Sequence, residues 1–587
     1  MSNGCEKAAR EAAVGMRARC DAPHVWTPPH RADRAATDAQ AAAFPGGTPC
    51  TSAVRDDAAL EFDGVSFRYE GASRDAVRDV SLRVRRGSVV AVTGESGCGK
   101  TTLMRMANAL IPLAYAGAMA GEVRVAGRPM GRWTTNALAR TVGSVFQNPR
   151  SQFVNADVAS EMAFGCESLG MPRDEIARRV MRAAAAFGVS DLLGRDVCDL
   201  SGGQRQMVML ASVAAPGPEI YVLDEPTASL DVPAMKILAR AVATLKAAGK
   251  TVLVSEHRLW WLADTADRVV VMHDGRIRGD YPARGFARIP AVRRRAWGLR
   301  AWGVEEMEAE ALARCEDAPM AAPEAEGAER PVGASGPAPA RYAGPVCCVA
   351  PARAEPVVRA EGLTAGYRRG PAVLDGLDFS IRPGRITALA GRNGAGKSTL
   401  ARCLSGLVKE RGGAVFVEGR KASWRRRAGL VYPVMQEPGY QLFCSTVDEE
   451  LRDAASRSGT ASDDMRFRID RMVADLGLEG FEGAHPLSLS GGQRQRLSIG
   501  AGLLYGARAL VLDEPTSGLD RANMERIAER LNALKHEGVG ICVITHDFEL
   551  LCAVCDEVAH LEGGRIVETL PFDRAHLARI EALFGFG

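Results

Sequence analysis

Apolar and polar residues alternate along residues 60–69 (LEFDGVSFRY) with the period of two expected of a half-buried strand. A second alternating strand, VSLRVRRG, starts at Val80. It is followed by SVVAVTG, a continuous apolar run closed by glycine, the pattern of a central strand buried on both faces. The same succession returns from Val358 to Tyr367, in LDFSIRPG from Leu377, and in RITALAG from Arg385. Each copy then passes through a helical middle and ends on two apolar strands, YVLDEP and TVLVSEH in the first, LVLDEP and ICVITHD in the second. Strands alternating with helices predict an α/β layered structure, built twice.

The repeat extends to polar residues. Gln147, Ser201, Asp224 and His257 recur as Gln436, Ser490, Asp513 and His546, each displaced by 289 residues. A period of domain size marks a tandem duplication and excludes a solenoid. The expected division is a leader over 1–57, a first domain over 58–298, a linker over 299–356 and a second domain over 357–587. The leader is rich in Ala, Arg and Pro without sustained periodicity and reads as disordered, with one amphipathic stretch at 6–19 as the alternative. Ala, Pro and Glu dominate residues 303–356, a composition that predicts an extended linker. Residues 284–302 carry six arginines and two tryptophans with no acid. That block reads as a basic helix packed on its own domain, or as a surface for anionic membrane.

Composition narrows the class. A hydrophobic content of 47% with 25% charged residues is that of an ordinary globular protein. The net charge of +3 is too small to attract a polyanion by itself. No apolar run approaches the ~18 residues of a membrane span, and the opening residues lack the apolar core of a secretory signal. The 14 cysteines have no paired spacing, which fits a reducing compartment. A lone CxxC, Cys552 and Cys555, is expected to be a helix face with two buried thiols in preference to a metal site.

Two glycine-rich loops carry the chemistry: GESGCGKT (94–101) and GRNGAGKS (391–398). Each follows a predicted strand and opens a helix, where free N–H groups and the helix dipole favour phosphate. Lys100 and Lys397 reach for the β- and γ-phosphates, and Thr101 and Ser398 offer hydroxyls to Mg²⁺. Asp224 and Asp513, at strand ends, suit Mg²⁺; the adjacent Glu225 and Glu514 suit the attacking water. LSGGQRQ from Leu200 and LSGGQRQR from Leu489 place a serine and glycines at further predicted helix starts.

On these motifs the chain resembles the ATP-binding-cassette ATPases over about residues 58–285 and 357–575. The resemblance implies two tandem P-loop domains, each with an α/β core, an antiparallel β subdomain and a helical subdomain. It implies an ATPase that uses ATP and Mg²⁺. Tyr69 and Tyr367 would stack on adenine. The implied ATP-binding set is Tyr69, Gly94, Glu95, Ser96, Gly97, Cys98, Gly99, Lys100, Thr101, Thr102, Ser201, Gly202 and Gly203, and, in the second copy, Tyr367, Gly391, Arg392, Asn393, Gly394, Ala395, Gly396, Lys397, Ser398, Thr399, Ser490, Gly491 and Gly492. The implied catalytic set is Glu225, His257 and Gln147 with Glu514, His546 and Gln436. Metal contacts fall to Thr101, Gln147, Asp224, Ser398, Gln436 and Asp513. In the family the serine motif completes the site of the opposite domain, so Ser201 would face Lys397 and Ser490 would face Lys100. The SLD (229–231) and GLD (518–520) segments match the loop that speaks across that seam.

The segments after the glutamines, QNPRSQFVNADVASEMAFG from Gln147 and MQEPGYQLFCSTVDEELR from Met435, look like those of energy-coupling-factor importers. That likeness implies vitamin or transition-metal-ion uptake through a transmembrane coupling protein and a small substrate-binding membrane protein. The chain would then sit peripherally on the cytoplasmic face of the cell membrane. Phe153 and Phe443 beside acids are expected to dock a partner helix bearing arginines. Asn155-Ala156-Asp157-Val158 departs from the usual threonine-valine. Two alternatives stay open: a fused ATPase of a peptide or sugar importer, and a soluble ribosome-associated tandem cassette. Nucleic acid is not an expected partner, since residues 304–330 hold nine acids and two bases, which repel a phosphate backbone.

Overall fold

The computed structural model describes residues 57–147, 152–228, 230–317, 355–367, 370–457 and 462–586. The leader (apart from Asp57), Ser229 and residues 318–354 lie outside the described residues.

Each half contains a six-stranded sheet. In the first the order is Arg276–Pro282, Arg268–His273, Val89–Gly94, Thr251–Ser255, Ile220–Asp224, Val142–Val145. All neighbours run parallel except the edge pair formed by the first two strands. Val89–Gly94 is buried at every position, as its unbroken apolar sequence requires of a strand covered on both faces. The second half repeats the sheet with Val431–Val434, Ala509–Asp513, Gly540–Ile544, Ile386–Ala390, Glu557–Glu562 and Arg565–Pro571.

A four-stranded antiparallel sheet lies beside each core sheet, ordered Val77–Arg85, Ala58–Tyr69, Gly117–Val125, Arg128–Pro129 in the first half. Its first strand begins at Val77 rather than Val80, because Val77 pairs with Phe67 across a register shift. The helical middle consists of Val158–Ser168, Arg173–Ala186 and Gly202–Ala214 in the first half. In the second it consists of Val447–Arg457, Ser462–Leu476 and Gly491–Tyr505.

One expectation is overturned between the halves. Residues 304–317 are not extended linker: they form the helix Val304–Asp317, whose Met307 and Ala311 are buried in the apolar core of the second half. The basic block packs on its own domain, the first of its two readings, with Arg284, Arg288 and Arg293 left exposed. Trp297, Leu299 and Trp302 sit in the core of the first half and Ala301 in that of the second, while Arg294 and Arg300 are buried. Every third or fourth residue of Val304–Asp317 is apolar, a helical stripe that its Ala and Glu content conceals.

The halves are also joined by an apolar seam. Trp260 meets Phe586 edge-on with ring centroids 5.2 Å apart, and Phe586 in turn lies 5.3 Å from Phe548. Cys552 and Cys555 are both buried, as small apolar side chains would be.

Candidate active site

Both phosphate loops leave the C-terminal edge of the central strand, the edge where open α/β sheets bind ligands. Their glycines adopt left-handed backbone: Gly94, Gly97 and Gly99 at φ 147°, 80° and 102°, Gly391, Gly394 and Gly396 at 148°, 88° and 109°. At Gly94 the requirement is steric as well, since a Cβ would fall 2.2 Å from the Met272 carbonyl oxygen. Gly99 and Gly396 cap the helices Lys100–Ala107 and Lys397–Leu404. Lys100 Nζ donates to the carbonyls of Gly94 and Glu95 at 2.9 and 3.0 Å. Lys397 Nζ donates to those of Gly391 and Arg392. Both ammonium groups therefore lie folded across the loop that phosphates would occupy. Burial lowers the Lys397 pKa, with Glu514 and Asp231 opposing the change.

Thr101 Oγ1 donates to Asp224 Oδ1 at 3.4 Å, and Ser255 Oγ donates to the same oxygen. Burial raises the Asp224 and Asp513 carboxyls. Glu225 and Glu514 follow at φ 46° and 50°, left-handed values that cost energy for residues other than glycine. Glu225 is buried and Glu514 mostly so. Burial raises Glu225, with Lys100 and the Gln147 amide opposing, and pushes Glu514 up to about 7. Gln147 Nε2 donates to Glu225 Oε2 at 2.7 Å. His257 Nε2 lies 3.3 Å from Glu225 Oε1, and His546 Nε2 lies 3.7 Å from Glu514 Oε1 and 3.3 Å from Asn393 Oδ1. Burial holds both imidazoles neutral, His546 down to about 3.

The serine motifs are built as helix caps. Ser201 Oγ accepts from Gln204 N at 3.2 Å while Gln204 Oε1 accepts from Ser201 N at 3.0 Å, a reciprocal capping box repeated by Ser490 and Gln493. The glutamine of each motif thus holds its own helix start open toward an anion.

The halves meet head to tail. A cavity of about 400 Å³ is lined by Ser201 and Gly203 of the first half and by Lys397, Ser398, Glu514 and His546 of the second. Tyr367 and Gln436 line it too. A Cβ on Gly203 would sit 3.3 Å from Asn393 Nδ2, so signature and loop are already in contact. At the other site the second half delivers Asp520, whose Oδ2 accepts from Ser96 N at 2.5 Å. Gly491, next to Ser490, lies against Leu519, one residue from Asp520. Ser490 itself is exposed whereas Ser201 is half-buried. Ser517 Oγ donates to the Ala228 carbonyl between the two sites.

A profile of the family described as ABC transporter matches residues 77–228 and again residues 374–517. A protein of Treponema denticola, itself assigned by inference as an ABC transporter ATP-binding protein, is 35% identical over 86% of this chain and 96% of its own length. A protein of Streptomyces avermitilis with the same description is 36% identical over 87% of this chain and 94% of its own. This chain belongs to the ABC transporter family. It is an ATPase, the ATP-binding subunit of an ABC transporter, with two fused cassettes.

Among solved structures, cbiO1 of Clostridium perfringens, described as part of the ABC transporter complex cbiONQ, is 28% identical over 39% of this chain and 92% of that one, with a TM-score of 0.36.

Tyr69 and Tyr367 occupy equivalent places in the two cassettes. Tyr69 Oη contacts Thr102 Oγ1 at 3.1 Å and accepts from Arg105 Nη1 at 3.0 Å. Tyr367 Oη accepts from Thr399 and from Arg402 at 3.3 and 2.9 Å. The ring of Tyr69 is already met edge-on by Phe67 and Tyr115, whereas Tyr367 is open on the cavity.

The segment after each glutamine departs from expectation. Glu161 is buried and accepts from Val154 N and Asn155 N at 3.0 and 2.7 Å. Glu450 likewise accepts from Phe443 N and Cys444 N, both at 2.9 Å. These acids clamp their own loop instead of waiting for a partner's arginines. Gln152 closes the same loop by bonding Phe146 N at 3.0 Å and the Ser144 carbonyl at 2.8 Å, as Gln441 does with Met435 N and Pro433 O. Phe153 packs half-buried on the first core, but Phe443 is 85% exposed and Phe164 is exposed as well.

Residues absent from the sequence-based set include Ser255, which holds Asp224, and Arg258, a buried cation with Nη2 unpartnered. Arg258 is the largest opposing influence on the raised Glu514 carboxyl. Its position directly after His257 was the available signal. Among the described residues no helix is long and apolar enough to cross a membrane.

Proposed function

We propose that this ATPase powers an energy-coupling-factor type importer of a vitamin or transition-metal ion. Its partners are a transmembrane coupling protein and a small substrate-binding membrane protein, and it works peripherally on the cytoplasmic face of the membrane. The supporting observation is the loop after each glutamine. Gln441 and Glu450 bond it into a fixed shape that presents Phe443, 85% exposed, on the same segment that begins at the cavity-lining Gln436. An exposed apolar side chain on a rigid mount suits the groove that receives a partner's helix.

ATP fits the two glycine cradles, and Mg²⁺ fits the hydroxyl–carboxylate pairs Thr101–Asp224 and Ser398–Asp513. Bound Mg²⁺ would neutralise phosphate charge. Lys100 and Lys397 exchange their loop carbonyls for phosphate oxygens. Glu225 and Glu514, with carboxyls raised by burial, are poised to take a proton from water. Gln147 orients Glu225 through its 2.7 Å bond. The neutral His257 and His546 would turn a ring N–H from Glu225 and Asn393 to the transferring phosphate. ATP would then bridge Ser201 to the Lys397 loop it already faces and draw the exposed Ser490 toward the Lys100 site, and hydrolysis would release both.

Purified E225Q/E514Q chain is expected to bind ATP with turnover reduced at least about 10²-fold. Full residual ATPase would refute these roles. Affinity capture from membranes tests the transport reading: a small substrate binder with a coupling protein is expected, and a pair of large permeases would replace it with the peptide- or sugar-importer alternative.

A further inference from the structure

Between the last strand of the first cassette and the helix Val304–Asp317, residues 298–302 cross the seam beside the Lys100 site. Gly298, at φ 70°, lies against Glu95 of the first phosphate loop: a Cβ there would fall 2.8 Å from Glu95 Cγ. Its carbonyl accepts from Arg521 N of the second cassette at 3.2 Å. Two residues on, Arg300 is 1% exposed. Its Nε and Nη2 both donate to the Leu519 carbonyl, at 3.2 and 3.1 Å. Nη1 donates to Asp547 Oδ1 and Glu549 Oε2, both at 3.1 Å, and Nη2 lies 2.8 Å from Asp547 Oδ2. Ala301 N donates to Glu549 Oε1 at 2.9 Å, an oxygen that also accepts from Arg521 Nη1.

A buried ion pair is a poor fastening compared with apolar packing, so stability alone does not account for the arrangement. What the guanidinium supplies is a planar fork that grips a backbone carbonyl and two carboxylates in one orientation. The carbonyl it grips belongs to Leu519. The next residue is Asp520, whose carboxylate caps Ser96 N in the first phosphate loop at 2.5 Å. A chain of direct bonds therefore runs from the crossing segment, through the turn of the second cassette, to the loop that holds phosphate in the first. The Lys397 site has further anchors of its own: the His546 ring bonds Asn393 Oδ1 and the His546 backbone N–H donates to Glu514 Oε2 at 3.3 Å; Arg300 reaches that site only through Asp547, which also accepts from Thr516 Oγ1 at 2.6 Å.

We propose that Arg300 is a positioning residue for ATP turnover at the Lys100 site, setting the Leu519–Asp520 turn against the first phosphate loop from the segment that passes from one cassette's core to the other's. The proposal rests on the roles given above to Glu225 and Glu514. Its test uses the full chain in two single-site backgrounds, E514Q, which leaves the Lys100 site active, and E225Q, which leaves the Lys397 site active.

Arg300→Lys retains a cation for Asp547 and Glu549 but loses the fork on Leu519. In E514Q it is expected to lower kcat at least tenfold with KM for ATP changed less than threefold. In E225Q it is expected to lower kcat less than threefold. Equal losses in the two backgrounds, no loss in either, or a loss carried by KM would overturn the proposal. Should Arg300→Lys fail to fold, Gly298→Ala disturbs the same crossing at Glu95 and must show the same selectivity. Persistent turnover in E225Q/E514Q would sink the site assignment itself; an inactive double variant with unselective Arg300→Lys losses would sink the Arg300 proposal alone.

Discussion

Glu514 offers a test that needs neither nucleotide nor membrane. Burial pushes its carboxyl from an ordinary 4.5 up to about 7, with Arg258 opposing only in part. Its Oε1 has no hydrogen-bond partner, and its Oε2 receives only long bonds, 3.4 Å from Thr545 Oγ1 and 3.3 Å from His546 N. His546 cannot neutralise it, because its own imidazole is held down at about 3. A carboxyl whose pKa is raised by folding makes the folded state bind more protons than the unfolded chain between the two values. Its contribution is fully present below about 4.5 and is lost as pH rises through about 7. The gap corresponds to an upper figure of about 3 kcal/mol at pH 8, at 1.36 kcal/mol per unit. Glu514→Gln removes the ionisation and keeps the shape. Without nucleotide and Mg²⁺, E514Q should melt several degrees above wild type at pH 8, taking ~2–4 °C per kcal/mol for a domain of this size. At pH 4, below both values, the two proteins should melt together. A gain of equal size at both pH values, or a loss at pH 8, would refute the reasoning from burial.

Other outcomes follow from single contacts. Gly94→Ala places a methyl group 2.2 Å from the Met272 carbonyl oxygen; equilibrium binding in the E225Q/E514Q background should fall from two ATP per chain to one. Glu161→Ala strands the N–H groups of Val154 and Asn155. It should cost about 1–3 kcal/mol in chemical denaturation, and Glu161→Gln, which keeps one acceptor, should recover part of that. Glu225→Gln should also gain stability at pH 8, because burial raises that carboxyl too; denaturation of the single variant at pH 8 and pH 4 reads the difference.

The strands that hold the site were readable because burial writes itself into composition: Val89–Gly94 and Ile386–Ala390 are apolar throughout. The strand Gly117–Val125 was not, since most of its residues are small or solvent-facing and only Val123 and Val125 are buried. The Ala- and Glu-rich stretch before residue 318 hid a helix for a related reason. Its Met307 and Ala311 make a narrow apolar stripe that gains meaning only when the second core is there to receive it. The acids after the glutamines were misread because a carboxylate next to an exposed phenylalanine looks available until the backbone N–H groups of the same loop are seen to fill it.

The sequence by itself determined the duplication, the two glycine cradles, the buried strand ends carrying Asp224-Glu225 and Asp513-Glu514, and the capped serine helices. All of these are local: a left-handed glycine, a capping box or an apolar strand is specified within a few residues. Tertiary structure alone decided that Arg300 grips the Leu519 turn and Asp547 of the second cassette, that the Arg258 charge acts on Glu514, and that Arg294, Trp297, Leu299 and Trp302 of the basic block are interior. Those facts depend on residues hundreds of positions apart sharing one dry interface. There a guanidinium's partners are set by the shape of the contact, and no spacing along the chain encodes them.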